Sequence, residues 1–126
     1  MLAPLIFNIC SQYDIVSVRM KVREAARLIG MDLSDQARIS LATSSLMERC
    51  GSVFGSGSGS ITIECLREAQ NTGLRVVYTF SNSREQHLEN MADGNVSWMV
   101  DTLAIRNLAS GQVEITLTKW VKRKQS

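Results

Sequence analysis

Few residues of this 126-residue chain could catalyse a reaction or hold a metal, and their spacing narrows the choice further. The soft ligands are Cys10, Cys50, Cys65 and the sole histidine, His87. An odd number of widely spaced cysteines makes neither a disulfide framework nor a zinc knuckle, which takes its ligands in close pairs. Free thiols fit a reducing compartment. Ser44, Ser45 and Glu48 are close enough to hydrogen-bond on one helix, yet no lysine or histidine stands beside them to activate a hydroxyl. They read as packing and capping groups. His87 lies in a polar stretch and reads as a solvent-facing residue, not a general base.

Residues Gly51 to Ser60 include four glycines and four serines, a backbone free enough to turn its amides toward an anion. The run has no lysine, so the phosphate-cradling P-loop pattern fails, and a long turn between a helix and a strand is expected. Lys119, Lys122, Arg123 and Lys124 form a basic end after an apolar run. Without interleaved aromatic residues this reads as a solvated terminus, and no nucleic-acid partner is expected.

Composition sets the wider limits. A hydrophobic fraction of 44% with 21% charged residues is that of a folding chain, and 126 residues suit one core, so a single domain over 1–126 is expected. The net charge of +2 is too even to demand a polyanion. The longest apolar stretches, such as Ala3 to Ile9, fall far short of a membrane span, and no basic segment precedes that stretch as in a secretory signal. A cytoplasmic protein without a membrane partner is expected.

The elements that must position these residues follow from hydrophobic period. Leu5, Phe7 and Ile9 alternate in a short first strand at or near an edge. Ile15, Val18, Val22, Ala25, Ala26 and Ile29 recur at helical steps, with Asp14 as a cap and Gly30 as a left-handed stop. A second helix is expected from Ser34 or Asp35, either serving as cap, to Cys50, burying Ile39, Ala42 and Leu46. Ile61 to Leu66 and Leu74 to Phe80 alternate as two strands, joined by a polar connection with Asn71 and Gly73 at its turn, longer than the tightest type. A short helical piece over Arg84 to Met91 and a turn at Asp93 to Asn95 follow. A third helix is expected over Ser97 to Leu108, then a last strand over Gln112 to Lys119 with Val113, Ile115 and Leu117 on one face. The order β, α, α, β, β, α, β suits a two-layer α/β (α+β) sandwich, a mixed sheet with helices packed on one face.

Particular words within that order carry a family resemblance. Asp14, Ile15, Val16 and Arg19 on the first helix, Asp35-Gln36-Ala37-Arg38-Ile39 at the start of the second, and a final strand ending in Lys119 and Trp120 resemble the anti-sigma-factor and stressosome-switch serine kinases. These form a branch of the histidine-kinase-like (GHKL) ATPase superfamily, shared by gyrase, a large heat-shock chaperone, sensor histidine kinases and the mismatch-repair ATPases. The resemblance covers Asp14 to Trp120 and implies the histidine-kinase-like ATPase fold. It also implies a signalling role with a regulatory protein partner: a STAS-domain antagonist, a sigma factor or the N-terminal region of a metal-dependent phosphatase. A homodimer is left open.

The departures from the family pattern bear on chemistry. The family's catalytic Glu and magnesium-binding Asn fall on Ser45 and Arg49, which offer neither a carboxylate base nor a hard oxygen ligand. Glu48 stands at neither position. The family's adenine-binding Asp falls on Phe80, and its two glycines fall on Asn82 and Arg84; a phenyl ring accepts no hydrogen bond from adenine, and an arginine prevents close backbone approach. The glycine-rich lid is reduced to Asp93-Gly94-Asn95. The expectation is therefore a non-catalytic relative, a pseudoenzyme that binds neither ATP nor magnesium, with no cofactor. Its partner contacts are expected at Arg19, Arg23 and Arg27 on the first helix and Arg38 on the second. The alternative is a serine-protein kinase or ATP-binding regulator with an atypical nucleotide site.

Overall fold

A computed structural model of the chain describes residues 4–9, 12–50, 59–81 and 96–122, the side chains of 12, 49, 50, 81 and 110 excepted. Of the expected Gly/Ser turn over 51–60, residues 51–58 lie outside the described residues, as do the helical piece over 84–91, the turn at 93–95, the distal basic residues Arg123 and Lys124, Cys10 and His87, whereas Gly59 and Ser60 are strand and not turn.

Helix α1 (Gln12–Leu28) and helix α2 (Leu33–Cys50) form a hairpin on one face of a five-stranded sheet. The strands are β1 (Leu5–Ile9), β2 (Gly59–Glu68), β3 (Asn71–Ser81), β4 (Thr102–Asn107) and β5 (Gln112–Trp120). They lie in the order β1-β2-β3-β5-β4, so β1 and β4 are the edges. The two-layer α/β sandwich is as expected, but every pairing is antiparallel and the sheet is not mixed. A parallel pair needs a crossover between neighbours, and here β1 meets β2 antiparallel after the helical hairpin returns the chain.

The periods read from the chain explain the core. On α1, Ile15, Val18, Val22, Ala25 and Ala26 are buried; on α2, Ile39, Ala42, Leu46 and Met47 are. They meet the alternate residues Ile61 and Ile63 of β2, Leu74, Val76, Tyr78 and Phe80 of β3, and Val113, Ile115 and Leu117 of β5. Helix α1 ends as expected at Gly30, whose φ of +97° lets Met31 N donate to Ala26 O at 3.0 Å and Gly30 N to Arg27 O at 3.1 Å. Its first turn begins at Gln12, so Asp14 lies inside the helix and not at its cap.

Helix α2 is capped by neither Ser34 nor Asp35. Asp32 Oδ1 accepts from Asp35 N at 2.8 Å, the third amide of the helix. The β2–β3 hairpin is also tighter than expected. Glu68 pairs with Asn71, leaving only Ala69 and Gln70 as the turn, with Ala69 at a φ of +53°. Gly73 lies in β3 opposite Trp120, where a Cβ would sit 2.6 Å from the indole ring. Glycine there serves close packing across strands.

The expected third helix is replaced by a 3-10 turn (Ser97–Met99) and the edge strand β4. Met99, Val100, Leu103 and Ile105 fit a helical stripe, but Leu103 and Ile105 also alternate with Ala104 and Arg106. In a segment this short β5 decides, because its free edge bonds residues 102–107 as a strand.

Candidate functional site

Lys119 shows how the sheet places a charged group that sequence reading assigned to solvent. It shares the inner face of β5 with Val113, Ile115 and Leu117, and its side chain is 7% exposed. Its Nζ lies 3.4 Å from Oδ1 of Asp35, in the first turn of α2; the same oxygen takes Arg38 Nη1 at 3.1 Å and lies 3.6 Å from Lys122 Nζ. Asp35 is 1% exposed. Burial alone would push its carboxyl up, but Lys119, through charge and hydrogen bond, with Lys122 and Arg38, outweighs it and holds the pKa below the ordinary carboxylate value. Gln36 is also buried, its Nε2 donating to Met31 O at 2.8 Å. The Asp35-Gln36-Ala37-Arg38-Ile39 segment therefore pins the start of α2 to the last strand and to the preceding loop.

This cluster changes the reading of two groups. The basic end is no solvated terminus at Lys119, because the period of two carries it inward, whereas Lys122 stays exposed as expected while lying 3.6 Å from the same carboxylate. Arg38 is half-buried and paired, so among the four expected partner contacts it stands apart. Arg19, Arg23 and Arg27 are exposed along α1 and have no ion-pair partner among the described residues. The signal missed in the chain was parity along β5: counting by two from Val113 reaches Lys119.

The positions matching the family's nucleotide chemistry are only partly described. Ser45 is half-buried on α2, and its neighbours Thr43 and Ser44 bond back to the carbonyls of Ile39 at 2.8 Å and Leu41 at 3.1 Å. Those hydroxyls act within the helix, as expected. Glu48 is exposed on the next turn. Phe80 is 5% exposed near the end of β3, its ring stacked on Tyr78 with centroids 5.0 Å apart. The Arg49 side chain, Asn82 and Arg84 lie outside the described residues. Ser45 and Phe80 do not fit the family's base and adenine contacts, and no nucleotide step is assigned to them. Among the described residues no three His, Cys, Asp or Glu side chains gather as a metal site, and no helix is long and apolar enough to cross a membrane.

The chain is 26% identical over 128 aligned positions to the serine/threonine-protein kinase RsbT of Bacillus subtilis (strain 168), a match spanning 91% of this chain and 95% of that protein. No family model matches the chain. The likeness lies with a kinase, and this corrects the expectation of a non-catalytic protein. That expectation rested on residue types at Ser45, Arg49, Phe80, Asn82 and Arg84. Those residue types exclude one way of holding the nucleotide, not activity supported by other side chains.

Proposed function

We propose that this protein is a signalling regulator of the serine/threonine-protein-kinase type, one whose nucleotide site is atypical. The carrying observation is the match to a serine/threonine-protein kinase along nearly the full length of both chains. A match spanning most of both chains supports a shared fold and a shared mode of action better than a short motif would. The buried pinning of α2 through Asp35 and Lys119 adds support, since it gives a structural role to words by which the chain resembles the switch kinases.

The substrate is a protein hydroxyl, and the partner belongs to the classes that the resemblance implies: a STAS-domain antagonist, a sigma factor or a phosphatase regulatory region. Arg19, Arg23, Arg27 and Arg38 are the residues proposed to meet it, Arg38 through the part of its side chain left exposed beside Asp35. Phosphoryl transfer depends on positioning the phosphates and neutralising their charge, which here falls to groups other than Ser45 and Phe80.

Incubation of the purified protein with radiolabelled ATP, magnesium and candidate proteins of these three classes from the same organism tests the reading. Label on serine or threonine of one of them, with stoichiometric turnover, is the expected result. No label on any, together with an ATP dissociation constant weaker than about 1 mM (roughly 4 kcal/mol of binding), overturns it.

A further inference from the structure

Helix α1 buries one face and leaves the opposite one without a neighbour among the described residues. Tyr13, Val16 and Met20 are 83%, 46% and 65% exposed, an unusual concentration of large apolar groups for a solvated helix surface. At about 100° per residue these three share one line with Arg23 and Arg27, and Arg19 flanks it. The line covers about 21 Å of helix at 1.5 Å per residue. Its first half is apolar and its second half cationic. Lys21 is 3.7 Å from Glu24, but the three arginines remain unpaired among the described residues.

We infer that this stripe is the docking ridge for an amphipathic helix of a partner protein, whose apolar residues cover Tyr13, Val16 and Met20 and whose carboxylates meet Arg19, Arg23 and Arg27. Charge complementarity selects that occupant. Three uncompensated guanidiniums in forked geometry suit carboxylates, and their stems extend the apolar contact beside Met20. Two copies packed through the ridge would bring six such charges together. An anionic membrane is also a poorer fit, because a helix lying in a bilayer surface keeps its apolar face along its whole length, with the cations to either side. Here apolar and cationic residues follow one another along the axis. The inference deepens the regulatory reading above by naming the recognition element of its partner, but docking on this ridge requires no nucleotide.

The test uses the full chain and a dye-labelled synthetic peptide of about four helical turns, apolar in one half of a helical stripe and glutamate-bearing in the other. Two control peptides replace glutamate by lysine or the apolar residues by serine. Fluorescence anisotropy without ATP is expected to show the acidic amphipathic peptide binding at least about tenfold more tightly than either control. Met20→Asp, and separately Arg23→Glu with Arg27→Glu, are expected to weaken it by at least about tenfold, whereas Leu41→Asp on exposed α2 leaves it unchanged. All these positions are exposed, so the thermal midpoints of the variants are expected to match that of the parent chain.

Equal binding of the three peptides, or binding indifferent to both α1 variants, overturns the inference. So does co-sedimentation with anionic vesicles that Met20→Asp abolishes while peptide binding persists, which would assign the ridge to a membrane. A concentration-dependent dimer lost in the same variant would assign it to a second copy. None of these outcomes depends on phosphotransfer, so the kinase reading stands or falls separately.

Discussion

Asp35 sits in the first turn of α2 with its carboxylate buried and three cations converging on one oxygen. Of the three, Lys119 matters most, since it is itself buried and would be stranded without a counter-charge. Removing one partner of such a pair costs about 3 kcal/mol, so Asp35→Asn is expected to lower unfolding stability by about that amount at pH 7. Adding Lys119→Met to Asp35→Asn is expected to recover part of the loss by removing the orphaned ammonium. The pH dependence follows from the direction of the shift. A carboxyl depressed in the folded state contributes fully above its unfolded pKa of roughly 3.9 and loses the contribution as pH falls through the folded value. Urea midpoints at pH 7 and below about pH 4 should therefore show the gap between parent and Asp35→Asn narrowing on acidification. A gap that widens would be inconsistent with this account of Asp35.

Within elements, the β2–β3 hairpin carries a local cost. Ala69 holds a positive φ of 53° in a two-residue turn, a region that costs an L-residue roughly 1 to 2 kcal/mol. Ala69→Gly relieves this, and the extra freedom of glycine in the unfolded chain offsets part of the gain. A net stabilisation of about 0.5 kcal/mol is expected, read as a raised urea midpoint at unchanged slope. Gly73→Ala, four residues on, goes the other way, because its Cβ would lie 2.6 Å from the Trp120 ring and 3.0 Å from Lys119 O. Strain of this kind costs roughly 1 to 3 kcal/mol. On α1 the exposed arginines are expected to separate binding from folding. Arg19→Ala with Arg23→Ala should weaken association with the protein partner by roughly 1 to 3 kcal/mol and shift stability by less than about 0.5 kcal/mol. Titration calorimetry beside thermal melts checks both halves, and an equal loss in the two would mean that the arginines serve the fold.

At the scale of the whole molecule, the buried residues of both helices and of β2, β3 and β5 join one cluster. A shared core makes partial unfolding expensive, because opening any layer exposes the others. One cooperative urea transition is therefore expected, coincident by far-ultraviolet circular dichroism and by tryptophan fluorescence. Trp98 and Trp120 report from different places, one within the 3-10 turn and the other at the end of β5. Separated transitions would mean that the β4–β5 edge is an independent unit.

How much was legible in the chain follows from the range of each interaction. Helices α1 and α2, the alternation of β2, β3 and β5, the stop at Gly30 and the helical layer on one face could be read from residue order, because period and left-handed stops depend on neighbours a few positions away. The exposed arginines of α1 were legible for the same reason, as residues off its apolar stripe. What surrounds a residue from afar was not. Residues 102–107 suited two periods until the edge of β5 chose the strand. Asp35, expected as a cap, became a buried counter-ion because β5 carries Lys119 to the start of α2 across 84 positions of chain. Likewise, the apolar outer side of Tyr13, Val16 and Met20 gains meaning only once the sheet is seen to cover the opposite side of α1. A pattern along the chain determines which faces an element has, and only tertiary packing decides what each face meets.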